Sequence, residues 1–304
     1  MMETMDDDDG DDDIVAYPSP TTRPGPPSAA AREVELERAR RAECVDTVDI
    51  DVLYVDDDVI VVNKPAGVYV EVIERRVRST PENETSTMSH RLDRDTSGCL
   101  VFARTARARS SISVQFRDGV VKKAYLALCA MDLDDDDDGA HGAHRAAVEE
   151  ERVIESGHGR AKYGLWRLYD AKDINRVLPG KGNKVKHALT TIAVESVFEN
   201  ATLDSKLSRA ALVRCAPKTG RTHQIRLHCA SVGLPLIGDV RYGGPLRAQI
   251  TSDAPLDVPG VLLHASEVTF FHPRGDGSTL RVVAPAPSWG TSNQNFATRL
   301  ERVE

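Results

Sequence analysis

Apolar positions in this chain fall into many short runs and few long periodic ones. The run Val59 to Asn63 predicts a strand, and the apolar run Cys99 to Phe102 predicts a buried one over Leu100 to Phe102. Val52 to Val55 precedes the first run, and Asp56-Asp57-Asp58 between them predicts a hairpin turn, with weaker turn chemistry than Asn-Gly. Further strands are predicted at Val120 to Leu128, Gly164 to Leu168, His187 to Phe198, Ala210 to Cys215, Leu262 to Phe271 and Thr279 to Val283. The Ala/Glu/Arg-rich stretch Ala30 to Cys44 predicts a short surface helix. Thr105 is placed to cap a second helix running to Phe116, with Gly119 near its end. A third is expected from Thr222 to Ser231, followed by Gly233. Glu71 to Ser89 is polar and reads as a loop. Many short strands with a few helices predict an α+β domain on a mixed or antiparallel sheet.

Composition divides the chain. Residues 1–45 join an acidic run to the Pro/Ser/Thr stretch Pro18 to Pro27, and disorder is expected there apart from the short helix. Residues 46–290 form one folded domain, interrupted at 131–160 by an acidic low-complexity insertion, and 291–304 read as a tail. The net charge of −8 looks hostile to nucleic acid, but residues 1–13 alone carry −8 and 131–138 carry −6. The remainder therefore carries +6, which suits an RNA-binding surface. No apolar run is long enough to cross a membrane, and the acidic start resembles neither a secretory signal nor a transit peptide. Five cysteines without C-x-x-C spacing fit small core residues in a reducing compartment.

The candidate chemistry lies in residues 90–98, His90-Arg91-Leu92-Asp93-Arg94-Asp95-Thr96-Ser97-Gly98. Acids and bases alternate here immediately before a buried strand, which predicts a polar loop set against the core. A partly buried Asp93 needs a cationic partner. Lys218-Thr219-Gly220-Arg221-Thr222-His223-Gln224-Ile225-Arg226 could supply one, since arginine stays charged and presents a planar fork. Whether the two stretches meet is a question for the fold.

These residues resemble the RluA-type pseudouridine synthases, whose central motif reads H-R-L-D-x-x-T-S-G. Asn63 to Gly67, Lys123 to Leu128, Lys218 to Arg226, Leu263-His264-Ala265 and Phe271-His272-Pro273 match in the family's order, covering roughly residues 50 to 285. The resemblance implies the pseudouridine synthase fold, a long bent mixed or antiparallel sheet with flanking helices and a central active-site cleft. It implies an isomerase that converts uridine to pseudouridine in structured rRNA or tRNA, dependent on an aspartate and on no cofactor. It also implies Asp93 as the catalytic carboxylate, Tyr125 as the ring that stacks on the target uracil and assists proton removal, and Arg226 as the partner of Asp93. The small N-terminal RNA-binding domain of some relatives has no counterpart in residues 1–45.

RNA contacts are expected from His90, Arg91, Arg221, Lys64 and Lys123, with Arg91 either filling the space of a flipped base or touching phosphate. Asp95 and Thr96 are expected to shape the loop, and Leu263 to belong to the core. His141 and His144 have no nearby cysteine, and no metal site is expected. RNA is the one partner implied. The protein is expected to act as a monomer without a membrane, in cytoplasm or nucleus, an organelle being compatible too. An inactive RNA-binding protein on the same fold is the alternative reading. A carboxylate-nucleophile hydrolase is a third, disfavoured because no second acid stands at an obvious spacing from Asp93.

Overall fold

The structure is a computed structural model that describes residues 17–22, 26–43, 48–131, 151–161, 165–180, 183–204, 206–246, 248–249 and 260–290. The acidic start, most of the insertion and the C-terminal tail lie outside these. Among the described residues, twelve strands join one mixed sheet, with the main order β1-β2-β4-β11-β5-β9-β8-β6-β7. The strands are β1 (Asp51–Val55), β2 (Val59–Lys64), β3 (Thr87–Met88), β4 (Ser97–Ala103), β5 (Lys122–Met131) and β6 (Arg152–Arg160). They continue with β7 (Trp166–Tyr169), β8 (Lys186–Leu203), β9 (Lys206–Pro217), β10 (Ala248–Gln249), β11 (Leu263–Phe271) and β12 (Thr279–Val283). The helices are α1 (Ala29–Glu43), α2 (Val70–Val77), α3 (Ala106–Arg117) and α4 (Gln224–Ser231).

Strand β4 shows why its sequence is apolar throughout. Alternate side chains of a strand point to opposite faces. Cys99, Val101 and Ala103 pack with Ala108 and Ile112 of α3, while Leu100 and Phe102 pack with Val70, Ile73 and Val77 of α2. Both faces are covered, and burial of each such large side chain stabilises the fold by about 1.5–3 kcal/mol. A second core lies under β5, β8 and β9, where Ala127, Cys129, Ile192, Val213 and Cys215 meet Ile225 and Cys229 of α4.

The two halves join at β4 and β11, which run parallel through His264–Ser97 and Ala265–Gly98. Gly98 has φ +104°, and a β-carbon there would collide with the Ala265 carbonyl. Only glycine lets the strand after the polar loop approach β11 this closely.

Asp56 explains the Asp-rich hairpin. Its Oδ1 accepts the Asp58 and Val59 amides at 2.9 and 2.8 Å, an Asx turn that substitutes for glycine. Its Oδ2 receives Tyr54 Oη at 2.8 Å and His272 Nε2 at 2.6 Å, so Phe271-His272-Pro273 staples the β11–β12 turn to the β1–β2 hairpin.

Several expectations need correction. Residues 71–89 are not one loop: α2 occupies 70–77, and the spacing of Val70, Ile73 and Val77 is the helical period that betrays it. The expected insertion ends earlier, because 152–160 form β6 between β8 and β7. The Pro-rich stretch is partly ordered. Pro20 bridges to Tyr169, and Thr22 Oγ1 accepts the Leu168 amide at 2.8 Å. Nor is α1 a bare surface helix: Ala31, Arg38 and Ala42 are buried, and Arg38 Nη1 donates to the Gly238 carbonyl at 2.9 Å.

Candidate active site

Above β4, β11 and β5 lies a cleft of about 980 Å³. Both polar stretches line it: residues 90–94 from one side, 217–226 from the other, with Lys123, Tyr125 and Leu263 on the floor. A larger hollow of about 1160 Å³ beside α1 is lined mainly by that helix and shares only Asp95 with the two stretches. Among the described residues no group of acids, histidines and cysteines could hold a metal ion.

The turn that delivers Arg226 is held by Gln224. Its Oε1 accepts Thr219 Oγ1 at 2.7 Å and the Arg221 amide at 2.9 Å, and its Nε2 donates to the Leu189 carbonyl at 3.0 Å and Thr190 Oγ1 at 2.8 Å. His223 then takes a left-handed conformation with φ +57°, so α4 begins at Gln224 rather than at Thr222 as expected. Arg226 is buried one turn later.

Arg226 meets Asp93, but it is not held chiefly by it. Its Nε and Nη2 grip Asp239 at 2.7 Å each, while Nη1 lies 3.5 Å from Asp93 Oδ2. Asp239 is 1 % exposed, and the Asp93 side chain is 32 % exposed to the cleft. Burial opposes the charge on Arg226, yet Asp239 and then Asp93 raise its pKa far above the ordinary value. The guanidinium carbon also lies 5.1 Å from the centre of the Tyr242 ring. Asp239 and Tyr242 went unnoticed in the sequence because neither belongs to a charged stretch that points at the site.

His223 is the second group near Asp93, with Nε2 at 3.9 Å from Oδ2. Burial, reinforced by Arg226, lowers its pKa to about 2, so the ring is neutral. Tyr242 Oη takes the Trp166 amide at 3.2 Å and lies 2.8 Å from His223 Nδ1. With the hydroxyl donating to Nδ1, the remaining N–H of the ring sits at Nε2 and faces the carboxylate.

Tyr125 reaches the cleft from β5, and its phenol pKa is pushed up by burial and then by Asp93, so it stays protonated. Lys123, also on β5, donates to the Thr219 carbonyl at 3.3 Å. Its pKa is lowered to about 8, first by burial and then by Lys218 and Arg221. Arg221 faces the cleft while its Nε donates to the His187 carbonyl at 2.9 Å. Arg91 is exposed at the rim, paired with Glu71 of α2 at 2.7 Å, a surface pair weak enough to be exchanged.

Two expected RNA contacts are committed to the protein instead. Lys64 is fully buried, and its Nζ donates to the carbonyls of Pro65, Val68 and Arg94 at 2.8, 2.7 and 2.8 Å. Burial lowers its pKa to about 7, against the pull of Asp95 and Asp93. Three acceptors around one nitrogen nevertheless suit the ammonium, which has three donors. Lys64 anchors the loop that bears Asp93. His90 accepts the Val101 amide at Nε2 (3.1 Å), stacks on Phe116 at 4.8 Å, and has its pKa lowered to about 4 by burial. It props the start of the same loop as a neutral ring. Asp95 shapes the loop as expected, gripping Arg94 at 2.7 and 2.9 Å. Leu263 is both core and cleft floor.

Residues 58–231 match the family model described as RNA pseudouridylate synthase. The chain belongs to that family. Over 306 residues it is 33 % identical to RNA pseudouridine synthase 1 of Arabidopsis thaliana, covering 91 % of this chain and 88 % of that one. Over 271 residues it is 32 % identical to ribosomal large subunit pseudouridine synthase C of Escherichia coli K12, covering 86 % and 73 %. The solved structure of human RNA pseudouridylate synthase domain containing 1 superposes with a TM-score of 0.54 at 25 % identity, covering 79 % of this chain and 84 % of that one. The protein is thus an RNA pseudouridine synthase, an isomerase whose substrate is RNA. Asp93, Tyr125 and Arg226 all lie in the segment matched by the synthase family, whereas Asp239 and α1 lie outside it.

Proposed function

We propose that this synthase isomerises a uridine of ribosomal RNA, with Asp93 as the essential carboxylate and without a cofactor. The C1′–N1 bond breaks, a C5–C1′ bond forms, the C5 hydrogen leaves as a proton and N1 gains one. No atom is lost and no electron is exchanged, so the site must provide charge, a stacking surface and exclusion of water. The observation that carries the reading is the pairing of a cleft-exposed Asp93 with a buried arginine 3.5 Å away. Arg226 faces the carboxylate without covering it, so the carboxylate remains open to the nucleoside. Tyr125 stacks on the detached uracil, and its protonated phenol donates toward the base rather than taking a proton in the resting state. Arg91, Lys123 and Arg221 contact the RNA backbone around the flipped nucleotide.

Ribosomal RNA is favoured over transfer RNA because the bacterial relatives are named for the large ribosomal subunit. A cytoplasmic or nuclear site of action suits that substrate. The test incubates wild-type protein and Asp93→Asn with unmodified total RNA, then maps pseudouridine by carbodiimide-blocked primer extension. New stops in ribosomal RNA with the wild type alone are expected. Stops confined to transfer RNA would overturn the target, and stops that persist with Asp93→Asn would overturn the role of the carboxylate.

A further inference from the structure

Helix α1 sends one carboxylate into the ground between the two loops that frame Asp93 and Arg226. Glu35 Oε2 accepts Arg241 Nη2 at 2.9 Å and Nε at 3.1 Å, and lies 3.5 Å from Arg94 Nη2. Arg94 immediately follows Asp93; it also grips Asp95 through two nitrogens, pairs with the Tyr69 side chain, and accepts Lys64 at its carbonyl. Arg241 lies two residues beyond Asp239, the acid that holds Arg226, and its amide approaches Asp239 Oδ1 at 3.3 Å. The Glu35 side chain is only 15 % exposed, and Arg94 12 %. Arg38, one turn on, donates to the Gly238 carbonyl and reaches Glu35 at 3.5 Å.

We infer that Glu35 is a positioning residue for the isomerisation, one that sets the spacing of Asp93 and Arg226 by bridging Arg94 and Arg241. The inference rests on the reading of Asp93 and Arg226 given above. Its physical basis is the sharing of one carboxylate oxygen by two guanidinium groups. Without that anion Arg94, which keeps Asp95, and the partly exposed Arg241 lose the partner they share, and the repulsion between them is no longer offset at that point. The Asp93 loop and the Asp239 loop would then move apart. A separation that is already 3.5 Å on one side is sensitive to such movement. Glu35 does not line the cleft, so the effect is expected on turnover and not on binding.

The experiment uses the full chain and unmodified RNA that carries the mapped uridine. Wild type, Glu35→Gln, Glu35→Asp, Arg241→Gln, Glu35→Gln/Arg241→Gln and Asp93→Asn are compared by kcat, KM and thermal unfolding. Turnover is expressed per molecule competent to bind RNA, which removes any loss through misfolding. Glu35→Gln should lower kcat about tenfold with KM within twofold of wild type. Glu35→Asp should recover part of that loss. Removing Arg241 as well should restore kcat above that of Glu35→Gln alone, because the uncompensated repulsion goes with it. A merely structural glutamate would lower the melting temperature and leave kcat per competent molecule unchanged, and that result would overturn the inference. So would a double variant slower than Glu35→Gln. Asp93→Asn is the control for the underlying reading: if it keeps turning over, the catalytic assignment fails. If it is inactive while Glu35→Gln matches wild type, the positioning role fails alone.

Discussion

Two aspartates share Arg226, and they differ in every other respect. Asp239 is sealed in, bound through both carboxylate oxygens at 2.7 Å, and its own backbone closes a turn with Gly244 at 2.8 Å. Asp93 is open to the cleft and meets one nitrogen of Arg226 at 3.5 Å, with His223 Nε2 at 3.9 Å. The first arrangement is what buried ion pairs need to offset desolvation, namely good geometry and saturated partners. The second would be a poor structural pair. One acid fixes the arginine, and the other receives its field while remaining free to react.

The sharpest way to break this contrast is at Asp93. Asp93→Asn should lower kcat by at least about 10³-fold while the unfolding free energy changes by less than about 1 kcal/mol, since the pair it removes is partly solvated. Steady-state turnover beside denaturant unfolding reads both. Asp239→Ala should add a loss of stability to a loss of turnover. Leaving Arg226 buried without its main partner should cost about 3 kcal/mol or more of stability, visible as a lower denaturant midpoint with unchanged slope. Tyr125→Phe keeps the stacking ring and removes the phenol. A fall of about 10²-fold in kcat with little change in KM would fit proton donation from that group. Unchanged turnover would leave Tyr125 as a stacking surface only.

The smallest expected effect concerns Lys123. Its pKa is lowered to about 8, so the cation present below that pH is lost as pH rises through it. Because a phosphate contact needs the charged form, KM for RNA should rise roughly threefold between pH 7 and 9. Lys123→Met should show the raised KM at pH 7 already and a flatter dependence above it.

Local chemistry made part of this legible in the sequence. The apolar runs of β2 and β4 announce strands, and Thr105 caps α3 through its Oγ1 at 3.1 Å from the Ala108 amide. Residues 90–98 stand out because charged side chains there directly precede a buried strand. What remained hidden depends on long-range pairing. Lys64 reads as a surface cation until three carbonyls from two segments close round it. Asp239 and Glu35 are ordinary acids in their own neighbourhoods, and only the fold brings them to Arg226, Arg94 and Arg241. Segment 70–77 was hidden differently: its glutamates and arginines make it look like a loop on average, although Val70, Ile73 and Val77 keep helical spacing.

The N-terminal arm crosses the molecule. Pro20 and Thr22 dock on β7 at one edge of the sheet, while α1 reaches Gly238, Arg94 and Arg241 near its centre. Modularity is therefore limited in this enzyme. An exchange of catalytic domains between relatives, cut where the recognisable family segment begins at residue 58, would separate the reacting loop from a brace encoded upstream. Selection on the loops around Asp93 and Asp239 would then act on the arm as well, so the two should change together as the lineage diverges.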